Sequence, residues 1–255
     1  MYNSLKNIAL KVLPAKQLKS LEPLLRPVIR LFYSGDAVSC PICEKSYSKF
    51  IQLREEENSD QLCPYCSSIQ RKRLLWLYLE KECGIHSEQL RVLDFTPHPT
   101  TAKRIRQNKN VDYLTTDYES KRWDQQYDIT AIPEKDASFD LVMCYHILEH
   151  VPDDRKAMAE LLRIVKANGR VLVQTPHRET PTAEDPSITD PAERLRLFGQ
   201  DDHVRYYNRG DLVQRLKDAG FEVEELAYAQ TFSAEEQGKL VLNEKELIFV
   251  CRKPA

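Results

Sequence analysis

Four cysteines occur as two matched pairs in the first third of the chain. The pairs are Cys40-Pro-Ile-Cys43 and Cys63-Pro-Tyr-Cys66, separated by nineteen residues. One turn can deliver two cysteines at this spacing to the same metal ion, and a second pair completes a closed tetrahedral site. The gap lies within the zinc-ribbon range. We therefore predict a structural zinc ion held by Cys40, Cys43, Cys63 and Cys66, with no open coordination position and no catalysis at this metal.

A second constellation is His146-Ile-Leu-Glu149-His150, which fits the H-x-x-E-H motif of the inverted zinc proteases. That chemistry requires a helix through both histidines and one further carboxylate ligand. The residues before His146 are apolar and typical of a strand, and Pro152 disfavours a continuing helix. The motif is better placed at the carboxyl end of a central strand, where open α/β sheets bind their ligands. We expect no metal at this motif.

The composition restricts the class of protein. A chain of 255 residues with 42% apolar content is one large domain, or one domain with small attachments. A net charge of −2 argues against a nucleic acid as partner. No apolar stretch is long enough for a transmembrane helix, and the start lacks the features of a secretory signal. The sequence thus predicts a cytoplasmic protein, in which seven cysteines indicate metal binding or free thiols.

The first 37 residues are predicted to form a helical segment. Residues 1–33 carry six basic side chains against the single acid Glu22, beside a stripe of leucines and other apolar residues. Two interpretations stay open. The segment packs on its own domain, or it is a basic amphipathic anchor that makes peripheral contact with a membrane surface.

Helical and strand-like segments alternate through the rest of the chain. A zinc ribbon at 38–68 precedes a domain at 69–255. Alternation of this kind predicts an α/β fold with a doubly wound, mostly parallel sheet. Two closing strands with no helix between them predict an antiparallel hairpin at one edge. The predicted strands are 91–95, 111–117, 126–130 (a weaker candidate), 139–146, 171–176, 221–228 and 245–253, and the predicted helices are 71–82, 100–107, 153–166 and 209–220.

The stretch SFDLVMCYHILEHVPDDRKAMAELLRIVKANGRVLVQTP resembles the fourth strand, following helix and fifth strand of class I S-adenosylmethionine-dependent methyltransferases, in the methyltransferase type 11 group. The wider pattern, from CPIC through LFGQDDHVRYY to DAGFEV, is similar to bacterial members with an N-terminal zinc ribbon. The resemblance covers roughly residues 38–252. It implies a Rossmann-like fold and S-adenosylmethionine as cofactor.

The resemblance also implies a cofactor site, with one departure. In such enzymes the first strand ends in an acid and a glycine-rich turn, here Asp94, Phe95 and Thr96 in a stretch without glycine. Because threonine does not take positive φ as freely as glycine, either this turn is built differently or cofactor binding is weakened, and we expect the former. The further implied positions are Asp117 for the ribose hydroxyls, Asp128 near the adenine amino group, Ile129 as an apolar contact, and Cys144, Tyr145 and His146 at the methyl-bearing end.

A long segment, 177–207, lies between the fifth strand and the next helix, and long connections in compact domains are often functional. We predict it to be a substrate or lid insertion, with His203 as general base. Asp201 or Asp202 would orient that histidine, and Arg205 would bind an anionic part of the substrate. His146 is the competing base, and a purely structural, salt-bridged lid is the alternative.

Three functions from different classes remain open. The first is methyl transfer to an oxygen or nitrogen of a small molecule or glycan. The second is methylation of ribosomal RNA, for which Lys45, Lys49, Arg71, Lys72 and Arg73 would supply a local basic patch. The third is a non-catalytic zinc-ribbon scaffold with a degenerate cofactor pocket, and the missing glycines are its support.

Overall fold

The computed structural model describes residues 26–53 and 60–255. The chain divides into two compact units. The first consists of Met1–Gly84, His98–Arg104 and Ala227–Glu246, and the second of Ile85–Pro97, Ile105–Leu226 and Leu247–Ala255. The domain boundaries expected from the sequence, at residues 37 and 68, remain predictions. Most of the predicted amphipathic segment, residues 1–25, lies outside the described residues, and residues 26–31 are helical.

The strands are β1 (Val38–Cys40), β2 (Lys45–Tyr47), β3 (Ile51–Gln52), β4 (Gln61–Leu62), β5 (Leu90–Phe95), β6 (Val111–Thr116), β7 (Phe139–Tyr145), β8 (Val165–Gln174), β9 (His177–Arg178), β10 (Ala183–Glu184), β11 (Arg205–Asn208), β12 (Glu222–Leu226) and β13 (Ile248–Arg252). The helices with described bounds are α1 (Gln70–Glu82), α2 (Pro99–Arg106), α3 (Asp154–Ile164), α4 (Pro191–Phe198), α5 (Arg209–Asp218) and α6 (Ala234–Leu240).

The second unit is built on a six-stranded sheet with the order β12-β13-β8-β7-β5-β6. The four strands β6, β5, β7 and β8 run parallel, while β13 and β12 are antiparallel additions at one edge. The central strand β7 is buried on both faces except at Asp140, as expected for a parallel sheet covered on both sides. The predicted doubly wound, mostly parallel fold is confirmed.

The edge differs from the predicted hairpin in its connection. β12 and β13 pair as expected, with Glu222 opposite Arg252. The chain between them, however, contains a 3₁₀ turn at Tyr228–Thr231 and helix α6. That helix buries none of its side chains and begins with a capping box between Ser233 and Glu236. Because α6 lacks an apolar stripe, its sequence shows no helical periodicity. The capping box is the only feature of this stretch that predicts a helix.

The weak strand candidate at 126–130 is wrong. Within the described chain this region has only an isolated bridge between Thr116 and Gln125. Asp128 Oδ1 accepts hydrogen bonds from the Thr130 amide and hydroxyl, both at 2.8 Å. Local side-chain bonding of this kind competes with a strand ladder and favours a turn.

The predicted insertion 177–207 contains ordered structure. It includes β9, β10, α4 and the start of β11, and these strands form a small sheet with the order β10-β11-β9. Asp190 caps α4 by accepting from the Glu193 amide, and Gly199 ends the helix with φ of 86°. The segment is therefore held in a defined place in the second unit.

Candidate functional site

The carboxyl ends of β6, β5, β7 and β8 lie side by side at one edge of the sheet. In the register, Phe95 is opposite both Thr116 and Cys144. The ladder extends one residue further on each side: the Thr96 amide donates to Thr116 O at 2.8 Å, and the His146 amide donates to Gln174 O at 2.7 Å. Because neighbouring strands are about 5 Å apart, the residues just beyond these ends share one surface.

Two non-glycine residues at this edge have left-handed backbone conformations. Thr96 has φ of 53° and His146 has φ of 58°. Threonine takes this conformation less freely than glycine, yet Thr96 adopts it directly after β5. Positive φ in a β-branched residue is a true outlier, and such strain is concentrated at functional sites. The chain thus makes the tight turn here without glycine.

The acid at the end of β5 is held from the neighbouring strand. The Tyr113 hydroxyl donates to Asp94 Oδ2 at 2.6 Å, and Asp94 is buried. Burial, together with the Asp94 carboxylate, raises the pKa of Tyr113 well above its usual value. Phe95 points to the opposite face and belongs to the hydrophobic core. Of the predicted first-strand residues, Asp94 and Thr96 can face a ligand and the Phe95 side chain cannot.

Asp117 follows β6 directly and has acceptor capacity left. Its Oδ1 accepts from the amides of Glu119 at 3.0 Å and Ser120 at 2.7 Å. No described residue donates to Oδ2. These two bonds fix the carboxylate in a turn, and one oxygen remains for the hydroxyls of a ligand.

The other predicted cofactor contacts separate into two groups. Asp128 is exposed at its turn, and His146 is half-buried at the sheet edge. Ile129 and Cys144 are members of the hydrophobic core, and full burial raises the pKa of the Cys144 thiol well above its usual value. The alternation along β7 turns the Cys144 side chain into this core, so the predicted contact at the methyl-bearing end stays a prediction for the Cys144 backbone alone. Tyr145, which is also buried, points to the opposite face from Cys144.

The His146–His150 motif follows β7 as a turn, and residues 148–150 are not helical. His146 Nδ1 lies 3.0 Å from Glu149 Oε1, and the Thr175 hydroxyl donates to Glu149 Oε2 at 2.7 Å. Glu149 is almost fully buried at 1% exposure. Sequence reasoning did not assign roles to Glu149, His150 or Thr175. The motif was an available signal for Glu149 and His150, and no pattern marked Thr175.

His203 lies in the same region but is oriented differently than predicted. It is 2% exposed, and its Nδ1 lies 3.2 Å from Phe198 O. Because a carbonyl can only accept, Nδ1 carries the proton, and Nε2 is buried without a hydrogen-bond partner among the described residues. Desolvation is the main reason that its pKa is lowered. Asp201 and Asp202 do not orient it, since Asp202 Oδ2 lies 3.3 Å from His150 Nδ1 and both acids are exposed.

Arg205 does not offer its guanidinium to an anionic substrate, and that predicted role is corrected. Its side chain is 2% exposed. It donates to the carbonyl oxygens of Leu148, Val151 and Pro152, and its Nε donates to Glu184 Oε2 at 3.1 Å. The carbonyls of a buried turn need donors, and Arg205 supplies them. Its function is to fasten the start of β11 to the turn after β7.

The four cysteines of the first unit form one cluster. Their sulfur atoms all lie within 4.8 Å of one another, and all four are free thiols. Cys40 Sγ is 3.6 Å from Cys66 Sγ, and Cys43 Sγ is 3.7 Å from Cys63 Sγ. A tetrahedron with zinc–sulfur bonds of about 2.3 Å has edges of about 3.8 Å. The donor set and its spacing therefore fit a zinc ion.

The two halves of the cluster have the same backbone geometry. The residue after each pair has positive φ, 57° at Glu44 and 65° at Ser67. Its amide donates to the first cysteine of its own pair, Glu44 to Cys40 O at 2.8 Å and Ser67 to Cys63 O at 3.1 Å. The Ser68 hydroxyl is within 3.3 Å of two of the sulfurs. Such matched turns are what a pair of metal knuckles requires.

Comparison with known proteins finds similarity to methyltransferases. A family model described as a methyltransferase domain matches residues 57–226, well over half of the chain. A probable S-adenosylmethionine-dependent methyltransferase of Mycolicibacterium smegmatis is 33% identical over 99 residues, which cover 38% of this chain and 34% of that protein. A ubiquinone biosynthesis O-methyltransferase of Saccharophagus degradans is 28% identical over 119 residues, 46% of each chain.

Among solved structures, the YcgJ protein of Bacillus subtilis matches with a TM-score of 0.46 and 19% identity, over 71% of this chain and 98% of that one. The chain spans less than half the length of the two curated relatives named above.

Proposed function

The chain belongs to the methyltransferase domain family, and from that premise we propose that it transfers a methyl group from S-adenosylmethionine to an oxygen or nitrogen of a small-molecule or glycan acceptor. The observation that carries this function is the shared edge of β5, β6 and β7. There the strained Thr96, the half-open carboxylate of Asp117 and the positive-φ His146 follow adjacent strand ends. Ligands of open parallel sheets bind at this edge.

On the cofactor side, Asp117 would hold the ribose hydroxyls through Oδ2, and Asp128 would meet the adenine. The turn at Thr96 would let the backbone approach the ligand closely. When bound, the cofactor supplies an electrophilic methyl group, whose bond to sulfur breaks with the electron pair remaining on sulfur as the acceptor atom bonds to the methyl carbon. The task of the protein is to align these atoms and to remove the acceptor proton.

On the acceptor side, His203 would accept the proton of the acceptor group. Its Nδ1–H is committed to Phe198 O, so Nε2 presents a lone pair inside a buried region. Desolvation is the main reason that the pKa of His203 lies below its usual value, which favours the neutral imidazole. A neutral imidazole with one unpartnered nitrogen is able to accept a proton.

The two alternatives lose support from particular contacts. The RNA-binding patch would include Arg73, which is fully buried and bonds to four carbonyl oxygens, among them Ser68 O at 2.8 Å. Arg71 pairs with Asp60 at 3.3 Å. The scaffold hypothesis rested on the missing glycines, and Thr96 makes the required turn without one.

A structural zinc ion on Cys40, Cys43, Cys63 and Cys66 is part of the same proposal, supported by the near-tetrahedral sulfur spacing.

Peripheral membrane contact through residues 1–33 also stays a proposal. No helix in residues 26–53 and 60–255 is long and apolar enough to cross a membrane. Of the described part of 1–33, Val28, Leu31 and Phe32 are exposed. Sedimentation with anionic vesicles, with and without residues 1–25, tests the contact.

The function is tested by methyl transfer itself. The protein is incubated with S-adenosylmethionine labelled in its methyl group and with a metabolite extract of the source cells. We expect label to appear in one low-molecular-weight product, and less of it with the Asp117→Ala variant. Label in RNA would favour the alternative enzyme. Failure of the wild type to bind the cofactor in calorimetry would contradict the function and favour the scaffold.

A further inference from the structure

Three side chains of the second unit converge beside the carboxyl end of β7. One carboxylate oxygen of Glu149, one ring nitrogen of His150 and one ring nitrogen of His203 all lie within 4.8 Å of one another. The imidazole rings of His150 and His203 pack edge to face, with centroids 4.7 Å apart. Apart from the four cysteines, this is the only such cluster among residues 26–53 and 60–255.

Backbone contacts explain why residues so far apart in sequence meet. The Val204 amide donates to Glu149 O at 2.9 Å. The Arg205 guanidinium binds the Leu148 carbonyl at 2.9 Å and those of Val151 and Pro152. These bonds tie the strand that follows His203 to the turn that carries Glu149 and His150. The convergence is therefore built by the fold.

Both histidines have one nitrogen occupied and the other left for a ligand. His203 Nδ1 donates to Phe198 O at 3.2 Å, and His150 Nδ1 lies 3.3 Å from Asp202 Oδ2. Metal-binding histidines characteristically donate their second ring N–H to a carbonyl or carboxylate in this way. The nitrogen that remains on each ring is Nε2, and that of His203 is buried without a hydrogen-bond partner in the described chain.

The carboxylate is positioned in the same manner. Glu149 is 1% exposed, with His146 Nδ1 at 3.0 Å from Oε1 and the Thr175 hydroxyl at 2.7 Å from Oε2. Each carboxylate oxygen can accept more than one partner. His146, the first residue of the motif, thus orients the carboxylate.

We propose that Glu149, His150 and His203 bind a first-row divalent cation. Two imidazoles and one carboxylate are a ligand set that suits Mn²⁺, Fe²⁺, Co²⁺ or Zn²⁺ and leaves coordination positions open. Ligands of such ions lie about 3–3.5 Å apart, so the cluster must contract on binding. His150, whose side chain is a third exposed, has the freedom to move inward.

The inference rests on the proposed methyl transfer and narrows its acceptor to one that presents a hydroxyl. A bound cation would hold the hydroxyl oxygen at an open position and lower the pKa of that hydroxyl. Water would then accept its proton, and the oxygen would bond to the methyl carbon as the carbon–sulfur bond breaks with its electron pair remaining on sulfur. In this arrangement His203 Nε2 would be a ligand of the cation, and it would act as the proton acceptor only where no cation is bound.

The expectation that the His146–His150 motif binds no metal assumed that both histidines of the motif must act from one helix. The fold instead replaces the first histidine with His203, from a segment more than fifty residues away. No local spacing rule could reveal that ligand.

Manganese provides a probe that thiolates do not favour, so the four-cysteine cluster does not compete for it. The full chain, freed of loosely bound metal, is titrated with Mn²⁺ and followed by electron paramagnetic resonance. We expect one site per chain, with affinity at least tenfold weaker in His150→Ala and in His203→Ala. His86→Ala, at an exposed histidine elsewhere in the second unit, is the control and should bind like the wild type.

Two further measurements make the result decisive. Circular dichroism melting shows whether the buried His203 variant folds, and the more exposed His150 variant carries the test if it does not. Wild-type protein that binds no Mn²⁺, or a folded His150→Ala variant that binds it with unchanged affinity, overturns the cation site. Cofactor calorimetry on the same samples separates the two ideas: cofactor binding without Mn²⁺ binding rejects the cation and leaves the methyl transfer, and the reverse result rejects the methyl transfer alone.

Discussion

Arg215 holds Glu184 in a bidentate ion pair, with Nη1 2.8 Å from Oε2 and Nη2 2.7 Å from Oε1. The pair connects α5 to β10. The same carboxylate accepts from Arg205 Nε at 3.1 Å, and Arg215 also donates to Asp154 Oδ2 at 2.8 Å. Planar two-point pairing of this kind fixes geometry as well as adding energy. The network therefore positions the small sheet of β9, β10 and β11.

This network predicts a loss of stability in acid. Hydrogen bonds from Arg215, opposed by burial and helped by Arg205, lower the pKa of Glu184 to about 2. An unfolded glutamate titrates near pH 4.3. A lowered folded-state pKa gives stability that is present above the unfolded value and is lost as the pH falls through the folded value. We expect the free energy of unfolding to fall between about pH 5 and pH 2.

Glu184→Gln should make the free energy of unfolding fall less between about pH 5 and pH 2. Because the Glu184 side chain is 36% exposed, solvent screening limits its contribution at pH 7 to about 1 kcal/mol. Urea unfolding at pH 7 and pH 3 measures the difference, and Glu179→Gln, at an 84% exposed side chain, is the matched control. Identical pH profiles for wild type and Glu184→Gln would rule out this role.

The cysteine cluster predicts a metal-dependent fold of the first unit. Cys63→Ser should release stoichiometric zinc and lower the melting temperature, because structural zinc supplies on the order of 10 kcal/mol of binding free energy to small ribbon modules. Elemental analysis and calorimetry measure both effects. Cys83→Ala, at a buried cysteine outside the cluster, should keep its zinc. The assignment fails if wild-type protein purified without chelators contains no zinc.

The proposed cofactor site predicts a specific role for Asp117. Asp117→Ala should weaken S-adenosylmethionine binding by about 1–3 kcal/mol, the cost of leaving buried hydroxyls unpaired. That corresponds to a loss of about five- to 150-fold in affinity. Asp112→Ala changes an exposed acid at the other end of β6 and should bind like the wild type. Equal affinities of the Asp117 and Asp112 variants in calorimetry would remove the assignment.

The parallel sheet could be predicted because its central strands are long, apolar and buried on both faces. The Phe139–Tyr145 strand carries that signal by itself. Elements held by local polar contacts could not be predicted so well. Asp128 turns a strand-like stretch into a turn through its bonds to Thr130, and α6 has caps but no apolar face.

Residues of the candidate site could be predicted where their position at a strand end places them. They could not be predicted where tertiary contacts set the orientation of the side chain. Thr96, Asp117 and His146 follow strand ends that the pattern of the sequence locates. The partners of Arg205 are mostly backbone carbonyls, which have no side-chain signature, so its structural role could not be told from substrate binding. The residue type of His203 suggests a base. The hydrogen bond that orients its ring, from Nδ1 to Phe198 O, depends on the end of α4 at Gly199, which the sequence does not show.

The last prediction separates the roles proposed for His203 and His146. His203→Ala should keep S-adenosylmethionine affinity within about twofold, because no contact places it among the cofactor residues, and should lose about 10²–10⁴-fold of turnover. His146→Ala should weaken cofactor binding as well, since it ends β7 with φ of 58° and orients Glu149. Calorimetry gives the first quantity, and labelled methyl transfer to the acceptor gives the second. His86→Ala controls for the loss of an imidazole. Nearly full turnover by a folded His203→Ala variant would make the 177–207 segment a lid and leave activation of the acceptor to another group.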